Sequence, residues 1–278
     1  MNKRAKRRLG LLVGLLVLAT LLIIVAIFVS KWNKQRRVSI AKIQGMEAYE
    51  RGDYEAAMTP LSFALSNDRN DIALALAVAD TRIRNTDENG RYLFASEKYY
   101  TFALTLDPEN EEALNALFKI YVVTNQPSKA LSVAEKLPDD DSETYKKRSV
   151  AQLRLGDTEQ ALTSIMRIRD IKPESLFWPM REYKVRSMGI EQSPEEINEV
   201  FSGYARDFPM NAAVELVVIE TMERSGRKEE AIERMRTASS RQDIEAELVM
   251  LMIPMMEKMG MNEEATGLRR RTVELSRT

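Results

Sequence analysis

The sequence predicts an all-α chain, with an N-terminal transmembrane helix followed by an α-solenoid of about seven helix pairs. Three observations carry this expectation. Leu9–Ser30 is a run of 22 residues without a charge, set between two basic clusters. Behind it a small-residue grammar recurs. Gly45, Gly52-Asp53, Ala57, Leu61 and Ala64 mark the stretch Gly45–Ala64, and Gly156-Asp157 with Ala161, Gly226 with Ala231 and Gly260 with Ala265 repeat its core. Gly and Pro number only 11 and 9 in 278 residues, which disfavours a β fold with many tight turns, whereas helix formers are abundant.

Composition removes most chemistry. The chain has neither Cys nor His, so it offers no disulfide framework, no thiolate or imidazole metal ligand, and no Ser-His-Asp or Cys-His arrangement. Asp139-Asp140-Asp141 lacks the alternating ligands, Gly and bidentate Glu of a calcium loop. Glu229-Glu230 and Glu263-Glu264 fall at expected first turns of helices, where carboxylates favour the helix dipole. Gly10–Gly14 has no Lys-Ser/Thr and is not a phosphate loop. The sequence therefore predicts no enzyme, no cofactor and no metal. Net charge is −1, with five basic residues and no acid in residues 1–30; residues 31–278 then carry 36 basic against 42 acidic, a net of −6. A mildly acidic body is a poor nucleic-acid binder.

In chain order, residues 1–8 form a basic tail. Leu9–Ser30 would span about 33 Å as a helix, enough for a hydrocarbon core of roughly 30 Å. It is too long for the apolar core of a cleaved signal peptide, so the expectation is an uncleaved signal anchor in contact with the bilayer through residues 9–30. The juxtamembrane segment 31–37 holds Lys31, Trp32, Lys34, Arg36 and Arg37, an interfacial pattern. Basic residues flank both ends. They favour a cytoplasmic N-terminus and an extracytoplasmic body in a single-pass inner or plasma membrane protein, with a cytoplasmic body as the alternative.

From Val38 onward the chain divides into seven units of about 34 residues, 38–71, 72–110, 111–141, 142–175, 176–211, 212–245 and 246–278. Gly45, Tyr54, Ala57, Leu61 and Ala64 stand at fixed offsets in the first; Gly156-Asp157, Ala161, Ile165 and Pro173 in the fourth; Gly226, Ala231, Met235 and Ala238 in the sixth; Gly260, Ala265 and Thr272 in the seventh. On these positions the chain resembles the tetratricopeptide-repeat family, in its membrane-anchored bacterial form, over 241 of its 278 residues. The third unit keeps Leu114, Leu117, Tyr121 and Ala130, with Asn125 in place of the turn glycine. The second and fifth carry extra residues, in Arg84–Arg91 and near Met188–Ser193, which belong in loops. Ser193-Pro194-Glu195-Glu196 reads as a capping box. Pro60 and Pro254 fall inside expected helices and should kink them or delay their start.

The resemblance implies a concave groove lined by the first helix of each pair, which takes a protein or peptide segment. Carried over by repeat phase, its residues are Lys42, Tyr49, Leu76, Asn115, Lys119, Val122, Lys146, Leu153, Met180, Lys184, Leu216 and Met250, with Met46, Asp80, Val150 and Glu220 at further inward positions. A clamp that some relatives use for a terminal carboxylate is incomplete: Lys42 fits, but Met46, Ala77, Glu112 and Ala116 take its other places. Met250, Met252, Met255, Met256, Met259 and Met261 crowd into 12 residues; Met252 and Met256 fall on the packing face, and the cluster reads as core filling or as an adaptable contact surface. Trp178 is either an interface anchor or a packing residue. The functional expectation is protein–protein interaction or complex assembly at a membrane, the alternative an envelope chaperone or secretion-accessory factor that binds unfolded or exported clients.

Overall fold

The computed structural model describes residues 3–85, 91–188, 192–240 and 246–275, and among them the fold is all-α with fourteen helices. The chain divides into two compact units, Met1–Ile120 and Tyr121–Thr278. In the first, α1 (Lys3–Glu50), α2 (Tyr54–Asn67), α3 (Ile72–Arg84) and α4 (Arg91–Leu106) each pack on the next, and α1 also touches α3. The boundary between the units falls within α5 (Glu111–Val123). The second unit holds α6 (Pro127–Ala134), α7 (Ser142–Leu155), α8 (Thr158–Ile171), α9 (Phe177–Met188), α10 (Pro194–Asp207), α11 (Ala212–Arg224), α12 (Lys228–Ser239), α13 (Ala246–Met259) and α14 (Asn262–Leu275). Neighbours in sequence are neighbours in space there, and α11 also packs against α9 and α13.

One turn recurs five times. Gly52, Gly156, Gly226 and Gly260 have φ between 77° and 89°, and Asn125, which stands in for a glycine, has φ 54°. Only residues tolerant of the left-handed region can end a helix this way. In each turn the next residue's N–H reaches back five residues to a helix carbonyl: Asp53 to Ala48 at 2.9 Å, Gln126 to Tyr121 at 2.8 Å, Asp157 to Gln152 at 2.9 Å, Arg227 to Met222 at 2.9 Å and Met261 to Met256 at 2.8 Å. Two of these residues then cap the following helix, Asp53 by accepting from Ala56 N at 3.1 Å and Asp157 from Gln160 N at 3.1 Å. Five residues after each left-handed position stands an alanine with no exposed surface: Ala57, Ala130, Ala161, Ala231 and Ala265. Where the second helix crosses the first, close packing leaves these methyl groups no room to reach solvent.

The core of the second unit is built from Ile165, Ile168, Trp178, Ile197, Phe201, Leu216, Ile219, Met235, Met252 and Met256. Met252 and Met256 are fully buried, so the methionine cluster fills the core at those positions, while Met250 is 74 % exposed. Trp178 is also fully buried. Its indole packs edge-on against Tyr204 and Phe208, with ring centroids 5.5 and 5.6 Å away, and is a packing residue. The capping box at Ser193 is formed, with Glu196 N donating to Ser193 Oγ at 3.2 Å and Ser193 N to Glu196 Oε2 at 2.7 Å. Neither internal proline delays its helix. α2 begins at Tyr54, ahead of Pro60, and α13 begins at Ala246, ahead of Pro254. Both helices run on past the proline, held by buried neighbours such as Leu61 and Met256.

The expected membrane span and single-pass localisation are corrected. Among the described residues no helix is long and apolar enough to cross a membrane. α1 does not stop at Ser30; it continues through Lys31, Lys34, Arg36 and Arg37 into the first helix pair. A transmembrane anchor, a bilayer partner and a membrane localisation therefore have no support in the fold. Residues 1–2, 86–90, 189–191, 241–245 and 276–278, and the side chains of Lys3–Arg8 and Thr272, lie outside the described residues.

Gly45 tests the close approach of α1 and α2. A Cβ there would lie 2.8 Å from Leu61 Cδ2 and Cγ and 3.0 Å from the Leu61 backbone N, whereas one on Gly267 in α14 meets nothing within 4 Å. Gly45→Ala is expected to lower stability by about 1–3 kcal/mol, and Gly267→Ala to raise it by about 0.5–1 kcal/mol. Urea unfolding followed by circular dichroism reads both, and midpoint shifts of the same sign would contradict the packing.

Candidate functional site

In the first unit two of the five expected groove positions, Lys42 and Tyr49, are occupied by internal bonds. Lys42 pairs with Asp71, which also caps α3 by accepting from Leu74 N at 3.0 Å. Partial burial pushes the Asp71 carboxyl up, but the bonds from Lys42 and the backbone outweigh it and hold the group below its ordinary value. Tyr49 OH donates to Asp80 Oδ2 at 2.8 Å, and Arg84 Nε donates to the same oxygen at 2.6 Å. Burial, and then the Asp80 carboxylate, push the Tyr49 hydroxyl well above its usual range. Leu76 is buried. Asn115 is half-buried, and its Oδ1 has no partner among the described residues; Lys119 is exposed.

In the second unit Val122 is half-buried and Leu216 is core. Lys146 is held by Glu143 at 2.5 Å and lies 5.3 Å over the Phe177 ring. Met250 is exposed on α13. Leu153, Met180 and Lys184 are brought together. A cleft of about 430 Å³ opens between α7 and α9, lined by Val150, Leu153, Arg154, Thr158, Arg181, Lys184, Val185 and Met188. A second, of about 520 Å³, opens between α9 and α11, lined by Met180, Arg181, Tyr183, Lys184, Ser187, Met188 and Arg224. The two share Arg181, Lys184 and Met188 and form one surface along α9. Their sizes are in the ~300–1,000 Å³ range of ligand pockets.

Polar groups inside the unit set the position of α9. Asn211 caps α11, its Oδ1 accepting from Ala213 N at 3.1 Å and Val214 N at 3.3 Å. Its Nδ2 donates to Pro173 O at 2.6 Å and to Ser175 O at 3.1 Å, in the segment that leads into α9. Trp178 Nε1 donates to the same Pro173 carbonyl at 3.1 Å. On the buried side of α9, Glu182 has no exposed surface and is paired with Arg186 at 2.7 Å. It also accepts from Tyr204 OH at 3.1 Å, and Arg169 Nη1 donates to Tyr204 at 2.7 Å. With the inner side of α9 fixed in this way, Met180, Lys184 and Met188 follow one another at four-residue spacing along α9, Met180 half-buried against the core and Lys184 and Met188 exposed.

Sequence reasoning placed Leu153, Met180 and Lys184 on this surface, and missed Arg181, Met188 and Arg224. Met188 was legible as the continuation of the Met180–Lys184 stripe. Arg224 was not, because its place depends on Tyr183, whose hydroxyl accepts from Arg224 Nη1 at 2.9 Å across 41 residues of sequence.

Comparison by sequence finds no matching family model and no matching curated protein. By structure, the chain is similar to a tetratricopeptide repeat protein from Parabacteroides merdae, with TM-score 0.51 and 16% identity over 86% of this chain and 93% of that one. The chain has the tetratricopeptide-repeat fold. A MamA protein is similar to it as well, with TM-score 0.50 and 14% identity over 69% of this chain and 96% of its own. In tetratricopeptide terms α7, α9 and α11 are the first helices of their pairs.

Two measurements test these arrangements. Asp71→Asn keeps a capping side chain and removes the ion pair. Because the folded Asp71 carboxyl is held low, its stabilisation is complete above the unfolded value of about 4 and is lost as pH falls through the lower folded value. The variant's stability should change less with pH below about 4 than the parent's in acid-dependent thermal melts; parallel curves would remove Lys42–Asp71 as a contributor. Arg186→Ala leaves Glu182 buried and unpaired and should cost about 3–5 kcal/mol in urea unfolding, and a loss under ~1 kcal/mol would show that the pair does not hold α9.

Proposed function

We propose that this chain is a non-catalytic binding module whose second unit holds a segment of another protein along α9. The observation that carries this reading is the pair of adjoining clefts on the outer side of that helix, lined by Leu153, Met180, Lys184 and Met188. Met180 and Met188 give the surface thioether side chains that reshape around different apolar groups. Met188 is 73 % exposed, a large apolar side chain with no internal packing role to explain it. The tetratricopeptide-repeat fold agrees with an interaction role, since a stack of helix pairs buries its core between neighbours and leaves one helix face of each pair for contact. The apolar floor and adaptable rim suit the assembly of a complex, with the bound segment supplying the missing packing.

A photo-crosslinking amino acid at position 188 of the full chain tests this in the source cells. Capture of a partner at 188, its absence when the same group is placed at the exposed Met210, and its loss when Leu153→Glu is added are the expected results. Equal capture at 188 and 210, or capture that survives Leu153→Glu, would place the binding surface elsewhere.

A further inference from the structure

Resting on that binding role, we infer that the bound segment is acidic, with carboxylates set between apolar side chains. The lining of the two clefts contains four cationic side chains, Arg154, Arg181, Lys184 and Arg224, and no carboxylate. This stands against the trend of the chain, whose residues 31–278 hold 42 acidic and 36 basic side chains. None of the four is neutralised by an ion pair among the described residues. Arg154 donates to the Val122 carbonyl, Arg224 to the Tyr183 hydroxyl, and Arg181 lies 5.3 Å over the Phe177 ring. Lys184 is exposed.

The acids nearest the clefts are taken up elsewhere. Glu182, on the opposite face of α9, is buried against Arg186. Glu220 and Glu223, next to Arg224 on α11, share the single cation Lys258 at 3.3 and 2.8 Å, so that flank keeps some negative charge beside Arg224 and the uncompensated cations are Arg154, Arg181 and Lys184. Glu143 is engaged by Lys146. The result is a local excess of positive charge over a floor of Met180, Met188 and aliphatic side chains. A carboxylate entering beside Arg154, Arg181 or Lys184 forms charge-assisted bonds there without displacing an acid paired with them among the described residues. The neighbouring apolar side chains of the same segment fill the clefts on either side of the Lys184 stripe. A nucleic-acid backbone fits less well, because its charge is continuous while the flank of α11 is acidic at Glu220 and Glu223.

The test is selection from a random-peptide phage library on the full-length protein, compared with Lys184→Glu/Arg181→Glu, with the single exposed change Lys184→Gln, and with Leu153→Glu, each shown folded by circular dichroism. Enriched peptides should be net negative, and their capture should fall about tenfold or more on the charge-reversed protein, less on Lys184→Gln, and also as salt rises from about 50 to 500 mM. Neutral or basic peptides that are lost with Leu153→Glu would overturn the acidic class and leave the binding surface standing. Peptides indifferent to every variant, or no enrichment at all, would overturn both. Displacement of the peptides by single-stranded RNA at equal charge concentration would assign the cationic lining to nucleic acid and overturn the proposal.

Discussion

Helix pairs of about 34 residues pack only if the chain reverses within two or three residues and the two backbones then approach closely. Both demands fall on particular positions. The reversal needs a residue with positive φ, and the close approach needs a side chain no larger than a methyl group five residues on. Gly52, Gly156, Gly226, Gly260 and Asn125 meet the first, and Ala57, Ala161, Ala231, Ala265 and Ala130 meet the second. The remaining side chains can vary widely once these are in place, which accounts for a shared fold at 16% identity. The apolar residues between them need only fill volume, as Met235, Met252 and Met256 do in the second unit.

The candidate surface depends on a different kind of constraint, a set of buried polar groups that locate one helix. Asn211 joins the start of α11 to the segment before α9, and Trp178 shares its carbonyl acceptor at Pro173. Glu182 is buried with Arg186 and Tyr204, and its second oxygen has no hydrogen-bond partner among the described residues. An apolar side chain of the same volume would avoid that desolvation penalty. What the polar set provides is direction: it fixes which side of α9 faces inward, and so which residues line the clefts.

The parts of the molecule legible in the sequence are those set by local chemistry. A glycine or asparagine followed five residues on by an alanine names a turn and a crossing point with no knowledge of the partner helix. The stripe Met180–Lys184 was legible for the same reason. Lys42 shows where this stops. By phase it belongs on an open surface, yet it is paired with Asp71, 29 residues away, and that pairing is a tertiary fact. Leu216 has the same inward phase but is covered by neighbouring helices and is core. Trp178 could be read either way until the acceptor at Pro173 and its ring neighbours were placed. Leu9–Ser30 misleads as a membrane span, whereas the lack of Gly and Pro over Lys31–Ile43 implies a helix that runs on into the first pair, and α1 does run on to Glu50 without a break.

That continuity has a mechanical meaning. α1 is 48 residues long and enters the first helix pair with no turn between its two ends. Over the stretch from Lys31 to Ile43 it contains neither Gly nor Pro that could act as a swivel. Its two ends are therefore keyed to each other like the ends of a shaft. Adding or deleting one residue there would advance one end by about 1.5 Å and rotate it by about 100° relative to the other. The number of residues between the ends, independently of their chemistry, sets the bearing at which the first helix pair is presented.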